Sequence, residues 1–365
     1  MKNVIIGGLF ALSLAPLAMA ESYQLLGSTS FATGHQFQNE QFGGISALTK
    51  TDIDGQYIGL SDAKGDENGQ PRIYMLDVDF ADELSVHLRN MTELKDKGER
   101  AYDNGERDGE GVVYWGSDSI LWVSERTHMM EQHDVNTGLL RRDYTDVIPE
   151  YYRGDNETFG LRANQSFEGL SVTPDGKTLF VATEAALIQD GSVATPEKPT
   201  AARILKYAIG DEQQLTLEAE YLYITERILN TSEYGIHDNG ISDILALDDE
   251  TLIVIERNGY AVKEGFTHFD FDIRLYQATL SDATNIKGHA SLKALDVPLP
   301  TLPVEKELIL KLADHVAVQD NVESIEFGPQ VDGQQTLLLA TDNNYQPHQA
   351  TKFYLFSYPD GRESQ

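Results

Sequence analysis

One pattern recurs along this chain and limits its fold more than any other feature: a short apolar strand, a tight turn, a second apolar strand, and polar or acidic residues at the outer ends. The clearest copy is Phe167–Glu184, FEGLSVTPDGKTLFVATE. Leu170, Val172, Leu179 and Val181 suit a half-buried strand pair, and Pro174-Asp175-Gly176 supplies the turn. The two strands of a hairpin are antiparallel, so Glu168 and Glu184 are expected side by side at the edge away from the turn. Altered copies cover Phe42–Asp62, Asp108–Arg126, Asn239–Asn258 and Val322–Asn344. Their starting positions, Gly44, Gly111, Gly169, Gly240 and Ser324, lie 67, 58, 71 and 84 residues apart. Each interval holds further strand-like runs, such as RILKYAI and FDIRLYQATL, which makes each unit about four strands.

Repeated four-stranded units predict an all-β fold, a β-propeller, whose blades leave only short protected edges. Five repeats are visible; a sixth blade would require a divergent copy hidden in the longer intervals, and a β-sandwich array is the alternative. Typical blades are shorter, about 40–50 residues, so the extra length is assigned to loops, notably Arg141–Gln165 and Ile188–Thr200. The last copy is followed by one strand, Lys352–Tyr358, and the unpaired strand Tyr23–Ser30 is expected to complete that blade and close the ring. No run reads as a long capped amphipathic helix.

Residues 1–20 combine Lys2, an apolar run and small residues at Ala18 and Ala20, the pattern of a secretory signal. The expectation is a periplasmic or secreted protein whose residues 21–365 form one propeller domain, with no membrane insertion. The chain has no cysteine, so stability must come from burial. With 28 basic and 59 acidic residues its formal charge is -31, a surface that repels nucleic acid and anionic lipid. The acid excess fits solubility in salt, clustered carboxylates that hold divalent cations, or both.

In a propeller the blades present equivalent ends to one face. The hairpin ends would therefore gather Asp108, Glu110, Glu168, Asp238, Asn239 and Glu323 with Asp62, Glu125, Glu184, Glu256 and Asp342 around one channel mouth, with Arg126 and Arg257. Oxygen ligands of this kind suit Ca²⁺, which takes about 6–8 of them. The expected metal ligands are Glu110, Glu168, Glu323, Asp342 and Asp62; no organic cofactor is expected. Arg126 and Arg257 are expected to bind an anionic substrate, together with Asn343 and Asn344. Glu168, Glu110 and His237, beside Asp238, are the candidate catalytic groups. Other signals carry less. Ser61 to Lys64 matches S-x-x-K without the rest of an acyl-transferase signature, there is no G-x-S-x-G elbow, and Asp62 to Gly69 fails as an EF-hand because Lys64 takes its third position. His35, His237 and His315 lack metal spacing.

The GGISAL segment, the Glu-Gly pairs at Glu110 and Glu168, the SER and IER ends at Arg126 and Arg257, and VESIEF followed by LLLATDNN resemble the exported bacterial phytase-like family, also described as "esterase-like activity of phytase". The resemblance runs from about Leu26 to Tyr358. It implies a β-propeller that hydrolyses phosphate or carboxylic esters; with Arg126 and Arg257 at the mouth, the expected substrate is a small anionic ester. The Asp-Asp-Pro-Ala stretch of β-propeller phytases is absent, their Asn-Asn-aromatic-acid segment is only echoed at Asn343-Asn344-Tyr345, and R-H-G-x-R is missing, so phytate is not carried over. The competing expectations are a non-catalytic propeller that binds a ligand or partner at the mouth, and cations that only brace the blades.

Overall fold

The computed structural model describes residues 23–359 apart from 156, 266–267, 295–296 and 299; the signal-like residues 1–20 lie outside the described residues. Five four-stranded antiparallel sheets form a ring. Blade 1 comprises β4 (Ile45–Lys50), β5 (Gln56–Ser61), β6 (Arg72–Phe80) and β7 (Leu84–Glu93); blade 2 comprises β8 (Gly109–Tyr114), β9 (Ser119–Ser124), β10 (Met130–Asp134) and β11 (Leu140–Asp143). Blade 3 is β12 (Phe167–Val172), β13 (Thr178–Thr183), β14 (Ala201–Ile209) and β15 (Leu215–Ile224); blade 4 is β16 (Gly240–Ala246), β17 (Thr251–Ala261), β18 (Phe269–Thr279) and β19 (Glu305–Lys311). Blade 5 takes β20 (Asn321–Val331), β21 (Gln334–Asp342) and β22 (Ala350–Ser357) from the end of the chain and β1 (Leu25–Ala32) from its start, with Ser28 opposite Tyr354. A small hairpin, β2 (Gln36–Phe37) and β3 (Glu40–Gln41), precedes blade 1. The ring is thus closed by the N-terminal strand, and the long intervals hold loops and strand extensions instead of a sixth blade.

The hairpin in Phe167–Glu184 forms with Leu170 opposite Val181 and Val172 opposite Leu179. Its turn is fastened by Asp175, whose Oδ1 accepts from Thr173 Oγ1 (2.7 Å) and Lys177 N–H (3.1 Å), and Gly176 takes φ +70°. The second strand of each blade reads as a continuous apolar run, because both of its faces are buried between neighbouring blades. Leu179 and Val181 pack toward blade 2, while Phe180 and Ala182 pack toward blade 4. Ile253 and Ile255 likewise join the core shared with blade 5, and Leu252 and Val254 that shared with blade 3. At about 1.5–3 kcal/mol per fully buried aliphatic or aromatic side chain, these inter-blade layers are the main source of stability. The connector after blade 2 contributes too: Tyr144, Ile148, Tyr152 and Leu161 are buried in the core between blades 2 and 3, so this stretch is packed chain and not a solvated loop.

Every innermost strand carries a β-bulge one or two residues after it begins. The extra residue is Ser46, Glu110, Glu168, Ser242 or Glu323 in blades 1 to 5. Ser46 and Ser242 donate to backbone carbonyls of the next blade, Gly109 (2.6 Å) and Val322 (3.0 Å). The three glutamates at the equivalent positions belong to the acidic mouth described below. Glycines beside the bulges admit close approach of the blades. A methyl group at Gly111 would sit 2.7 Å from the carbonyl oxygen of Glu168, and one at Gly169 2.9 Å from the backbone nitrogen of Ile244. Gly111→Ala should therefore cost about 1–3 kcal/mol in a denaturant melt, by overpacking against backbone that cannot yield. Gly191→Ala, where a methyl meets nothing within 4 Å, is the neutral control; equal losses would refute the packing account.

Candidate functional site

One position on the second strand's side of each hairpin is equivalent in every blade: Asp62, Glu125 and Glu184, just past β5, β9 and β13, Arg257 within the longer β17, and Asp342 at the end of β21. The amides of Asp62, Glu125 and Glu184 donate to the carbonyls of Gly44 (2.8 Å), Asp108 (2.9 Å) and Ser166 (2.7 Å), and Arg257 and Asp342 stand opposite Gly240 and Asn321. Together with the bulge glutamates and Asp108 they form one acidic mouth. Glu110, Glu125, Glu168, Glu184, Glu323, Asp342 and Asp108 are all buried. Carboxylate oxygens of Asp108, Glu110 and Glu125 lie within 4.8 Å of one another, as do those of Glu125, Glu168 and Glu184, so Glu125 is common to both triads.

Among the described residues few cations face these acids. Lys64 Nζ lies 2.7 Å from Asp108 Oδ2. Arg257 donates through Nη1 to Glu323 Oε1 (2.8 Å) and Asn321 Oδ1 (2.8 Å), and its Nη2 is 3.4 Å from Glu184 Oε1. Like charges at this spacing repel by about 3–4 kcal/mol per pair in a protein-like dielectric. Burial, with some help from neighbouring carboxylates, pushes Asp62 and Glu125 up to about 7. Burial, then repulsion from Glu168 at Glu110 and from Glu184 at Glu168, holds those two glutamates well above the ordinary carboxylate range. Glu184 and Asp342 are strongly raised and Glu323 is raised, burial again being the first cause.

The donor set fits a hard divalent cation. Both triads offer oxygen alone, and the chain has no cysteine. Asp108, fully buried, has an Oδ1 with no hydrogen-bond partner among the described residues, and the same holds for the buried Oδ1 of Asp62. Gly44, at φ +66°, leaves room for Asp62: a methyl there would lie 2.2 Å from that Oδ1. Such unpaired buried acceptors are costly unless something positive meets them.

The structure distributes the sequence candidates unevenly. Glu110 and Glu168 stand in the triads, whereas Glu323 is held by Arg257 and Asn321, and Asp342 Oδ1 accepts from Asn344 N–H (2.8 Å). Asp62 and Asp342 face each other electrostatically on the blade 5 to blade 1 side of the mouth. Arg126 and Arg257 are not equivalent: Arg257 takes the place that acids take in other blades, while Arg126 is one residue farther out, 47% exposed, and 3.4 Å from Asp108. Glu256 falls where the other blades carry Ser or Thr and turns away from the mouth, toward Tyr223, Lys306 and the Glu226 amide. The Asn343 amide is committed to the ring closure, accepting from Gly44 N–H (3.0 Å) and donating to Thr33 Oγ1 (3.0 Å). Asn344 borders a cavity beside Arg257; His237 instead accepts from Ser232 N–H (3.3 Å), and it is Asp238 that lines this cavity. Asp108, Glu125, Glu184 and Lys64 complete the cluster without having been singled out as ligands. Their signal was the position next to each strand end, with the Ser61–Lys64 segment masking Lys64 as a chance motif.

A family model described as "Phytase-like: Esterase-like activity of phytase" matches residues 40–345, a span that includes every acidic residue of the mouth. The chain belongs to the phytase-like family. A secreted protein of uncharacterised function from Arthroderma benhamiae is 33% identical to this phytase-like chain over 126 residues, 28% of this chain and 24% of the relative's own length. Among solved structures, a periplasmic gluconolactonase from Pseudomonas aeruginosa aligns with TM-score 0.38 and 10% identity over 88% of this chain and 90% of its own. The PQQ-bound aldose sugar dehydrogenase of Streptomyces coelicolor aligns with TM-score 0.40 and 12% identity, covering 93% and 99%. At that level of similarity neither structure informs the chemistry of the phytase-like mouth.

Proposed function

We propose that this chain is an exported hydrolase of phosphate or carboxylic esters whose channel mouth works with a bound divalent cation, Ca²⁺ being the best match. The observation that carries this reading is the pair of buried oxygen triads sharing Glu125, next to the unpaired Asp108 Oδ1. Asp108, Glu110, Glu125, Glu168 and Glu184 would hold the cation, which supplies Lewis acidity toward an ester oxygen and makes water easier to deprotonate. Lys64 fixes Asp108, and Ser166 N–H fixes Glu125 Oε1 at 3.1 Å. Arg257, clamped by Glu323, Asn321 and Glu184, presents a pre-oriented guanidinium to negative charge that develops on the substrate. Glu168 is the choice for moving a proton to or from water, because it stands in the second triad and burial, then repulsion from Glu184, holds its carboxyl well above the ordinary range. The signal-like residues 1–20 support export, and no helix among the described residues is long and apolar enough to cross a membrane.

Two measurements test this. Turnover of p-nitrophenyl phosphate or p-nitrophenyl acetate by the purified protein should require Ca²⁺ and vanish in chelator. Stability should also depend on pH in a cation-dependent way. The folded carboxyls hold protons that unfolded ones, with ordinary values near 4, release. In chelator this contribution is complete below about pH 4 and is lost as pH rises through about 7. Ca²⁺ favours the ionised carboxylates, so the rise in melting temperature it produces should widen from about pH 5 to about pH 8, reaching about 5 °C near a hundredfold excess over Kd. A shift in melting temperature with no turnover would favour a cation that only braces the blades; no shift at any pH would refute the cation site.

A further inference from the structure

Beside the acidic mouth, between blades 4 and 5, lies a cavity of about 310 Å³. Blade 4 builds one wall because β17 and β18 remain paired well beyond the mouth, through Ala261 opposite Phe269, which carries Phe269 and Phe271 above the channel. The turn after Asp342 supplies the opposite wall with Asn344, Gln346 and Gln349. Arg257 belongs to both places: its Nη atoms bind the mouth acids, and the residue also lines this cavity.

Two residues of the lining each carry a buried polar atom that lacks a protein partner among the described residues. One is a donor, Arg257 Nε, and the other an acceptor, Gln349 Oε1, on a residue that is only 7% exposed. A buried polar atom without a partner is costly, so a native structure that keeps one of each beside a cavity calls for a ligand group that both donates and accepts. Hydroxyl groups do both without net charge. The charge of the walls agrees, since Arg257 is balanced by Asp238 in the lining and further outweighed by Glu184 and Glu323 behind it. A polyanion would meet repulsion there. The two phenylalanines offer an apolar face of the kind that covers the C–H face of a ring. The volume is at the small end of ligand pockets, roughly 300–1,000 Å³, and suits a single ring.

We propose that this cavity is the subsite for the alcohol portion of the ester and takes a neutral, hydroxyl-bearing ring, a sugar or cyclic polyol, in preference to a polyphosphate. As a subsite it rests on the reading of the mouth as an ester-hydrolysing centre; as a binding site it is tested without turnover. Purified protein with Ca²⁺ is titrated with D-glucose, D-galactose, D-mannose and myo-inositol, and binding is followed by ligand-observed NMR. In parallel, myo-inositol hexakisphosphate is offered as competitor. At least one neutral probe should bind, the hexakisphosphate should not displace it, and Gln349→Met should weaken binding about tenfold. This variant removes the unpaired acceptor while nearly conserving shape, so its melting temperature should stay level or rise. Binding of no neutral probe overturns the proposal, as does displacement by the hexakisphosphate or full binding by folded Gln349→Met. A neutral probe that binds in a Gln349-dependent way, without any ester turnover, leaves the cavity assignment standing and refutes the hydrolase reading alone.

Discussion

Glu125→Gln should reduce ester turnover by about 10²–10³-fold, the scale on which a single preorganised electrostatic group is lost, and its effect on stability should change sign with calcium. Glu125 belongs to both carboxylate triads, so the substitution removes one charge from each while keeping the shape and the acceptor for Ser166 N–H. Burial and the repulsion of Asp108 push Glu125 up to about 7. In chelator at neutral pH the amide relieves that repulsion, and the variant should melt higher than the parent. In saturating Ca²⁺ the variant should melt lower, because at least about 10–100-fold of cation affinity is gone. Differential scanning calorimetry in the two buffers reads this crossing directly. Glu256→Gln is the contrast. Glu256 is equally buried but bonds Tyr223, Lys306 and the Glu226 amide behind the mouth, so its replacement should cost stability in both buffers and leave the calcium shift unchanged. Parallel behaviour of the two variants would refute the assignment of the triads.

Arg203→Met should destabilise the protein by about 3–5 kcal/mol, the cost of leaving buried charge without its partner. Arg203, Asp190 and Glu220 have no exposed side-chain surface. The guanidinium donates to both oxygens of Asp190, at 2.7 Å and 3.0 Å, to Glu220 Oε2 at 2.9 Å and to the His289 carbonyl at 3.0 Å. Asp190 Oδ1 in turn accepts from Leu292 N–H (2.8 Å), and Ile286 N–H donates to the Glu220 carbonyl (2.9 Å). The ion triad therefore ties the long crossover between β18 and β19 onto blade 3. Besides the lower denaturation midpoint, limited proteolysis of Arg203→Met should cut first within this crossover. A loss below about 1 kcal/mol, in the range of exposed ion pairs, would show that the triad contributes no more than a surface contact.

The propeller was legible in the sequence because its blades repeat one local rule. Alternating strand residues, an Asp-Gly or Pro-Asp-Gly turn and a polar end can be recognised without knowing what they touch, and the closing strand near Leu25 stood out because nothing nearby could pair with it. The connectors were less legible. Tyr144, Tyr152 and Leu161 sit among polar residues, and only the neighbouring blade explains why they are buried.

The mouth divides in the same way. Which residues flank each hairpin is a local property, and from it Glu110 and Glu168 were found. Which of two adjacent residues faces the channel depends on register, and here each blade carries an extra residue. A bulge shifts the alternation of side chains by one position along the innermost strand, while the pairing of that strand with its neighbour, Gly240 opposite Arg257 and Gly109 opposite Ser124, makes Arg257, not Glu256 or Arg126, the counterpart of the acids in other blades. Local strand chemistry thus determined the repeat, the closure and the gathering of acids at one face. Only the tertiary structure decided that Glu125 joins two triads, that Lys64 meets Asp108, that Asn343 locks the ring and that Arg257 opens onto a neutral cavity. Those relations join residues from different blades, and distances across a ring are set by packing, which no single stretch of sequence encodes.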